Sequence, residues 1–258
     1  MDGILIERRA GVQVLRFNRP AKKNAITQAM YTALADGIAA GERDDTIGAH
    51  VFAGSGGIFS AGSDLKDFIA HGKAAARGPV VAFLEALVGA NKPIIAAVDG
   101  AAIGIGTTML LHCDLVYASP TARLLTPFLD LGVVPEAASS LLLPLRAGHP
   151  IAFEMLCLGG TLDAPRALAA GLINAVLPVA ELETHAFGAA ATLAAKPRKA
   201  LLISRRLLRG DPANIKARMA EEFEHFAERL RSPEAQEAVA AFLEKRAPDF
   251  AKAVRGQS

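Results

Sequence analysis

The chain has 258 residues, 52% of them hydrophobic, enough for one large domain, or one domain with an appendage, whose core needs neither disulfides nor metals. Its 28 basic and 26 acidic side chains leave a formal net charge of +2 with no long block of either sign, which argues against nucleic-acid binding. Cys113 and Cys157 stand in apolar surroundings without CxxC or Cys/His spacing and read as core thiols of a reducing compartment.

The first residues, Met1 to Arg9, carry Asp2 and Glu7 and already read as strand, so no secretory or transit peptide is expected. Ile4–Glu7 and Val12–Phe17 are short β-rich runs around Arg-Arg-Ala-Gly, the pattern of a hairpin. Thr27 caps an Ala-rich amphipathic helix that runs to about Ala40. Strand signals follow at Ala49–Ala53, Ile94–Val98, Leu115–Ala118 and Ile173–Val176, interleaved with helical stretches at Val80–Ala90, Thr107–His112 and Ser139–Arg146. That alternation predicts an α/β core with parallel pairing. After about Leu177 no strand signal returns: Ala180–Ala195, Pro197–Leu208, Ile215–Arg231 and Pro233–Arg246 all read as helix. We divide the chain into a core over 1–195 and a helical region over 196–258, packed on the core or on a partner subunit. Phe223, Phe226, Leu230 and Phe242 form an apolar stripe on these helices. The most apolar run, Pro93 to Leu111, is interrupted by Asp99, Gly100, Gly104 and Gly106, so no membrane span is expected. A cytoplasmic protein is the expectation, and the Arg-Gly-Gln-Ser end is not a peroxisomal address.

Three glycine-rich segments, Gly54–Asp64, Gly100–Thr107 and Leu131–Glu136, each fall where a strand run is expected to stop. Ligands gather at the carboxyl ends of strands in α/β folds, and glycine lets a backbone N–H approach them closely. Gly104-Ile105-Gly106 is half of a dinucleotide fingerprint, but Met109 stands where its third glycine belongs. Phosphate-loop, GxSxG and HExxH motifs are all absent. The six histidines are scattered, and His112 reads as a core side chain.

One combination is specific. Phe59-Ser60-Ala61-Gly62-Ser63-Asp64-Leu65-Lys66 is preceded by Asn18-Arg19-Pro20 and Lys23-Asn24-Ala25. It is followed by Val98-Asp99-Gly100-Ala101-Ala102-Ile103-Gly104 and, near the end, by Ala241-Phe242-Leu243-Glu244-Lys245-Arg246. In order and spacing these segments resemble the crotonase (enoyl-CoA hydratase/isomerase) superfamily over nearly the whole chain. The resemblance implies a ββα spiral core with a helical C-terminal trimerisation region, a homotrimer or dimer of trimers, no permanently bound cofactor or metal, and coenzyme A as part of a thioester substrate. It implies that the backbone N–H groups of Ser63 and Ile105 receive the thioester oxygen, fixed dipoles that stabilise an enolate without reorganising. Ile105 stands where the family usually has glycine; the donor survives, since it belongs to the backbone, but only with an ordinary negative φ. Coenzyme A contacts carry over to Lys22, Ala25, Ala61, Gly62, Asp64 and Leu65, with Phe242 and Lys245 from the C-terminal helices and Phe226 as a weaker candidate.

Hydratases of this family hold water between two glutamates, whose positions here are Thr108 and Phe128; without that carboxylate pair efficient hydration is not expected. Instead, Thr126 to Ser140 resembles the peroxisomal type of enoyl-CoA isomerase, where the glutamate of Pro-Glu-(small)-(small)-Ser-Ser is the base. That residue is Glu136, with Asp130 the next candidate. A single carboxylate suffices to move a proton from the α- to the γ-carbon. Phe128, Leu131, Val133 and Val134 are expected to wall it with apolar surface; desolvation there favours a raised pKa and an opposing helix N-terminus a lowered one, so only the apolar setting is expected. A plainer reading makes Glu136 an acid at a helix N-terminus, which would lower its pKa. The expected activity is therefore the isomerisation of β,γ-enoyl-CoA to the α,β-isomer. The alternatives are a hydratase or another enzyme of the same enolate chemistry, and, from another class, a CoA-ester-binding or RNA-binding relative without turnover.

Overall fold

A computed structural model describes residues 3–64, 66–67, 78–244 and 246–255. The hairpin forms as expected: β1 (Ile4–Arg9) pairs antiparallel with β2 (Val12–Phe17), Ile4 opposite Phe17 and Arg9 opposite Val12. Beyond it the sheet is parallel, through β3 (Ala49–Gly54), β4 (Ile94–Val98), β6 (Leu115–Ala118) and the two-residue β9 (Ala175–Val176), in the order β1-β2-β3-β4-β6-β9. Every residue of β4 is buried, as expected of an Ile- and Ala-rich strand covered on both faces.

One cover is α1 (Gln28–Arg43), capped by the Thr27 hydroxyl accepting the Met30 N–H at 3.3 Å, together with α2 (Pro79–Gly89). Their Tyr31, Leu34 and Phe83 meet Phe17 and Phe52 in the main core. The other cover is α6 (Val179–Ala194), whose Leu182, Ala186 and Ala190 lie against Val12, Val14, Val51 and Ile95.

A second, three-stranded sheet is not foreshadowed by the sequence pattern: β5 (Ala101–Ile103) pairs parallel with β7 (Arg123–Leu125), which pairs antiparallel with β8 (Leu162–Asp163). Strands of two or three residues are too short to show a period. The helix expected over Thr107–His112 starts earlier and is divided: α3 covers Ile105–Thr108, and a 3₁₀ turn covers Met109–His112. The Leu131–Glu136 segment follows a 3₁₀ turn at Leu129–Leu131 rather than a strand. The helix expected over Ser139–Arg146 continues as α4 (Ser139–Leu156), broken at Gly148, whose φ of 78° and ψ of 159° are not helical. The strand expected over Ile173–Val176 is reduced to β9.

Among the described residues, four helices follow α5 (Ala164–Ala169) and α6: α7 (Arg198–Arg209), α8 (Pro212–Arg229), α9 (Pro233–Glu244) and α10 (Phe250–Arg255). They return to the core. Ile215 and Met219 of α8 and Ala235 of α9 join the main cluster, with Phe223, Phe226 and Leu230 packed against it. Phe242 departs from that stripe and is 62% exposed. Among the described residues, no helix is long and apolar enough to cross a membrane.

Candidate active site

Two loops run side by side above the sheets. Ser60 bridges Ala102 in parallel register, with the Ile103 N–H donating to Ser60 O at 2.9 Å and the Ser60 N–H to Ala101 O at 3.1 Å. Gly62 has φ +83°, and a Cβ there would lie 2.7 Å from Ile103 O, so the close approach requires glycine. Farther along, Ile26 brackets Ser63: its N–H donates to Gly62 O and its carbonyl accepts from the Asp64 N–H, both at 2.8 Å. The Ser63 N–H is left out of that ladder. On the second loop Gly104, at φ +55°, turns the chain into α3 and leaves Ile105 as the first helical residue, with the negative φ its side chain demands. The Thr107 hydroxyl anchors this turn to Ala102 O at 2.5 Å and Leu125 O at 3.1 Å. Among the described residues, neither the Ser63 nor the Ile105 N–H has a protein acceptor.

Thr108 lies three residues after Ile105 on α3, and a separation of three places side chains on neighbouring positions of one turn. Its buried hydroxyl donates to Glu136 Oε1. The half-buried Glu136 carboxyl is pushed up to about 8 by burial; the Thr108 hydroxyl pulls it down and the nearby Glu222 carboxylate pushes it further up. Of the four residues expected to wall it, Phe128 and Val133 are buried and Leu131 and Val134 half-buried.

The plainer reading of Glu136, as an acid at a helix N-terminus, is contradicted. Ala137 and Ala138 both take left-handed conformations, φ 59° and 55°, and the Glu136 carboxylate accepts from the Thr108 hydroxyl. The N-terminus is served by a different acid: Glu222 of α8 accepts the Ala138 N–H at 2.6 Å and the Ser140 N–H at 3.0 Å. Left-handed alanines each cost about 1–3 kcal/mol. Hydrogen bonds to a charged carboxylate, each contributing about 1.5–3 kcal/mol, offset that strain. His112 completes the hold through Nε2, 2.8 Å from Ala137 O; burial lowers its pKa to about 4, so it stays neutral and Nε2–H donates.

Tyr31 bonds the first loop within electrostatic reach of this carboxyl. Its fully buried phenol lies 2.8 Å from Ser63 Oγ. Burial raises its pKa, opposed by the Ser63 hydroxyl and reinforced by the charge of Glu136. The oxyanion-type donors, Tyr31 and Glu136 thus share one neighbourhood. It can stabilise negative charge on an oxygen while a carboxylate exchanges protons beside it.

A protein-family model described as enoyl-CoA hydratase/isomerase matches residues 7–253. The chain belongs to the enoyl-CoA hydratase/isomerase family. A crystal structure of a family member from Pseudoalteromonas atlantica T6c superposes with a TM-score of 0.92 at 43% identity, covering 96% of this chain and 100% of that one. The fold is therefore the crotonase fold. Enoyl-CoA delta isomerase 2 of Rattus norvegicus is 36% identical over 95% of this chain, which spans 64% of that relative's length. The 2,3-dehydroadipyl-CoA hydratase of Escherichia coli (strain K12) is 32% identical over 97% of this chain and 99% of its own length.

In this family member the residues expected at coenzyme A divide unevenly. Lys22 is exposed at the end of a 3₁₀ turn, and Ala25, Ala61 and Gly62 lie along one seam, the Ala61 N–H donating to Lys23 O at 2.9 Å. Asp64 is engaged: Arg19 Nη1 reaches its Oδ2 at 2.6 Å. Phe242 stands on the exposed side of α9, and Leu65 and Lys245 lie outside the described residues. Asp130 is exposed, and a Cβ on Gly159 would fall 2.9 Å from its Oδ2, so it sits beside that glycine.

Three residues that sequence reasoning does not single out hold the site together. Asn24 is fully buried; its Nδ2 donates to Ser55 O at 2.9 Å and Ile58 O at 2.8 Å, and its Oδ1 accepts from Arg19 N at 2.8 Å. Its place in the Lys-Asn-Ala segment is the available signal. Thr108 stands out in the sequence only as a missing glutamate, and Glu222 gives no signal in the acidic run Glu221-Glu222-Phe223-Glu224.

Proposed function

We propose that this enzyme shifts the double bond of a β,γ-enoyl-CoA to the α,β position. The observation that carries the reading is Glu136, a single partly desolvated carboxyl held by Thr108, in a site where Thr108 and Phe128 occupy the positions of a hydratase's glutamate pair. The thioester oxygen lies against the Ser63 and Ile105 N–H groups. Glu136 removes an α-proton, the C–H electron pair moves into the enolate, and the oxygen's charge is stabilised by the two N–H dipoles. The same carboxylic acid then protonates the γ-carbon. The double bond ends between the α- and β-carbons, and Glu136 regains its starting state. A pKa near 8 makes the carboxylate a stronger base than an exposed one, at the cost of a smaller ionised fraction at neutral pH.

The coenzyme A portion runs along Lys22, Ala25, Ala61, Gly62, Asp64 and Leu65, with Phe242 and Lys245 contributed by the C-terminal helices; it arrives and leaves with the substrate. Residues 196–258 act as the assembly region of a homotrimer or dimer of trimers in the cytoplasm. Ile203, Leu207 and Leu208, 51%, 73% and 89% exposed on α7, support an interface there. Hydration is the second reading, favoured by the likeness to the E. coli hydratase over 99% of that protein.

Incubation with β,γ-enoyl-CoA and, separately, with α,β-enoyl-CoA, followed by chromatography and mass analysis, decides between them. Isomer at unchanged mass from the first with little hydration of the second is expected. Rapid gain of water by the second would replace this reading with hydration.

A further inference from the structure

Glu222 is buried on α8, more than eighty residues along the chain from the turn it touches. It faces Arg218, Glu221 and His225 on its own helix and Ser140 on α4. Glu136 lies across the turn, and His112 approaches the same turn from the 3₁₀ segment. Each carboxylate oxygen holds one backbone donor, Oε2 accepting the Ala138 N–H and Oε1 the Ser140 N–H. With Ala137 O held by His112 and Glu136 O accepting the Ser139 N–H at 3.0 Å, these contacts fix the turn on both sides of the Glu136 side chain.

We infer that Glu222 is a positioning residue for the isomerisation, a C-terminal carboxylate that clamps the left-handed Ala137-Ala138 turn and thereby aims Glu136 at the substrate. The inference rests on the proposed role of Glu136 as base. Burial raises the Glu222 pKa as well, and its ionised form pushes the Glu136 pKa up. An amide cannot replace it. Glutamine has one acceptor oxygen for two N–H groups, and its own NH₂ would face a donor.

Steady-state isomerisation of a β,γ-enoyl-CoA by the full-length Glu222→Gln variant, followed across pH, tests this. A misaimed base costs rate more than binding, so kcat is expected to fall about 10- to 100-fold with KM within about twofold. With the charge gone, Glu136 ionises more readily and the acid limb of the profile moves to lower pH. A residue that merely stabilises the fold would leave that limb where it was. A soluble Glu222→Gln protein with the wild-type limb and kcat therefore overturns the inference. Glu222→Asp keeps the charge but is one methylene shorter, and covers the case in which the glutamine variant does not fold. Its kcat is expected to fall with the limb in place, and wild-type kcat in it overturns the clamp. Glu136→Ala separates the two claims. An inactive Glu136→Ala beside an unaffected Glu222→Gln removes the clamp alone, whereas an active Glu136→Ala removes the base itself.

Discussion

Replacing Glu136 by glutamine should make the protein more stable and nearly inactive. The carboxyl is neutral in the fold up to about pH 8, whereas in the unfolded chain it ionises near 4.5. A group whose folded pKa is raised stabilises fully only below its unfolded pKa, and that stability is lost as pH rises through 4.5 towards 8. At pH 7 the loss spans two and a half pH units, which at about 1.4 kcal/mol each is about 3 kcal/mol. Glutamine keeps the size and a polar group for Thr108 but has no proton to lose. Urea unfolding of wild type and Glu136→Gln at equal protein concentration, at pH 5 and pH 7.5, should give curves that nearly coincide at the lower pH. At the higher pH, three units above the unfolded value, the variant should be more stable by about 4 kcal/mol. Isomerase turnover in the variant should fall by about 10²- to 10⁴-fold. Equal stability at pH 7.5 would show that Glu136 is not held neutral, and the reasoning from its burial would fail.

Thr108→Val removes the hydrogen bond that favours the ionised form of Glu136, worth about 1.5–3 kcal/mol to a charged acceptor. The wild-type rate should rise with pH through about 8; in the variant that limb should move up by about 1–2 pH units, with full rate recovered at high pH. A limb that stays in place refutes the contact. Gly62→Ala drives a Cβ to 2.7 Å from Ile103 O at a φ of +83°, so the loop must shift and carry the Ser63 N–H with it. The expected loss is about 10²- to 10³-fold in kcat, measured by the same turnover assay. Asn24→Ala strands Arg19 N and two carbonyls and should cost about 3 kcal/mol in denaturant unfolding, with a raised KM for the thioester.

The parts legible in the sequence are those governed by local pattern. Val12–Phe17, Ile94–Val98 and Leu115–Ala118 form strands with the same ends that their apolar, β-branched runs suggest, because glycine, proline or aspartate stops them nearby. Thr27 announces its helix through a hydroxyl placed to accept an orphan N–H. The three-residue strands β5 and β7 carry no such pattern and exist because two glycine loops lie beside each other. Glu136 is legible as a motif but not in its setting. Two alanines in a left-handed conformation that alanine rarely adopts, made tolerable by a distant carboxylate, cannot be read from Ala-Ala. Glu222 looks like any acid on a charged helix until α8 packs against the start of α4. Helical spacing groups Phe242 with its neighbours, and spacing does not reveal that its face of α9 is left uncovered.

The Thr108–Glu136 contact also bears on how activities diverge within such a scaffold. In this chain position 108 supplies the hydroxyl that favours the ionised form of Glu136. The resemblance to the family's hydratases places a carboxylate at the same position. The two solutions compete for one side chain: glutamate at 108 would remove the hydroxyl and set a second negative charge against Glu136, raising its pKa still further. A Thr108→Glu exchange is therefore expected to leave Glu136 still less ionised near neutral pH.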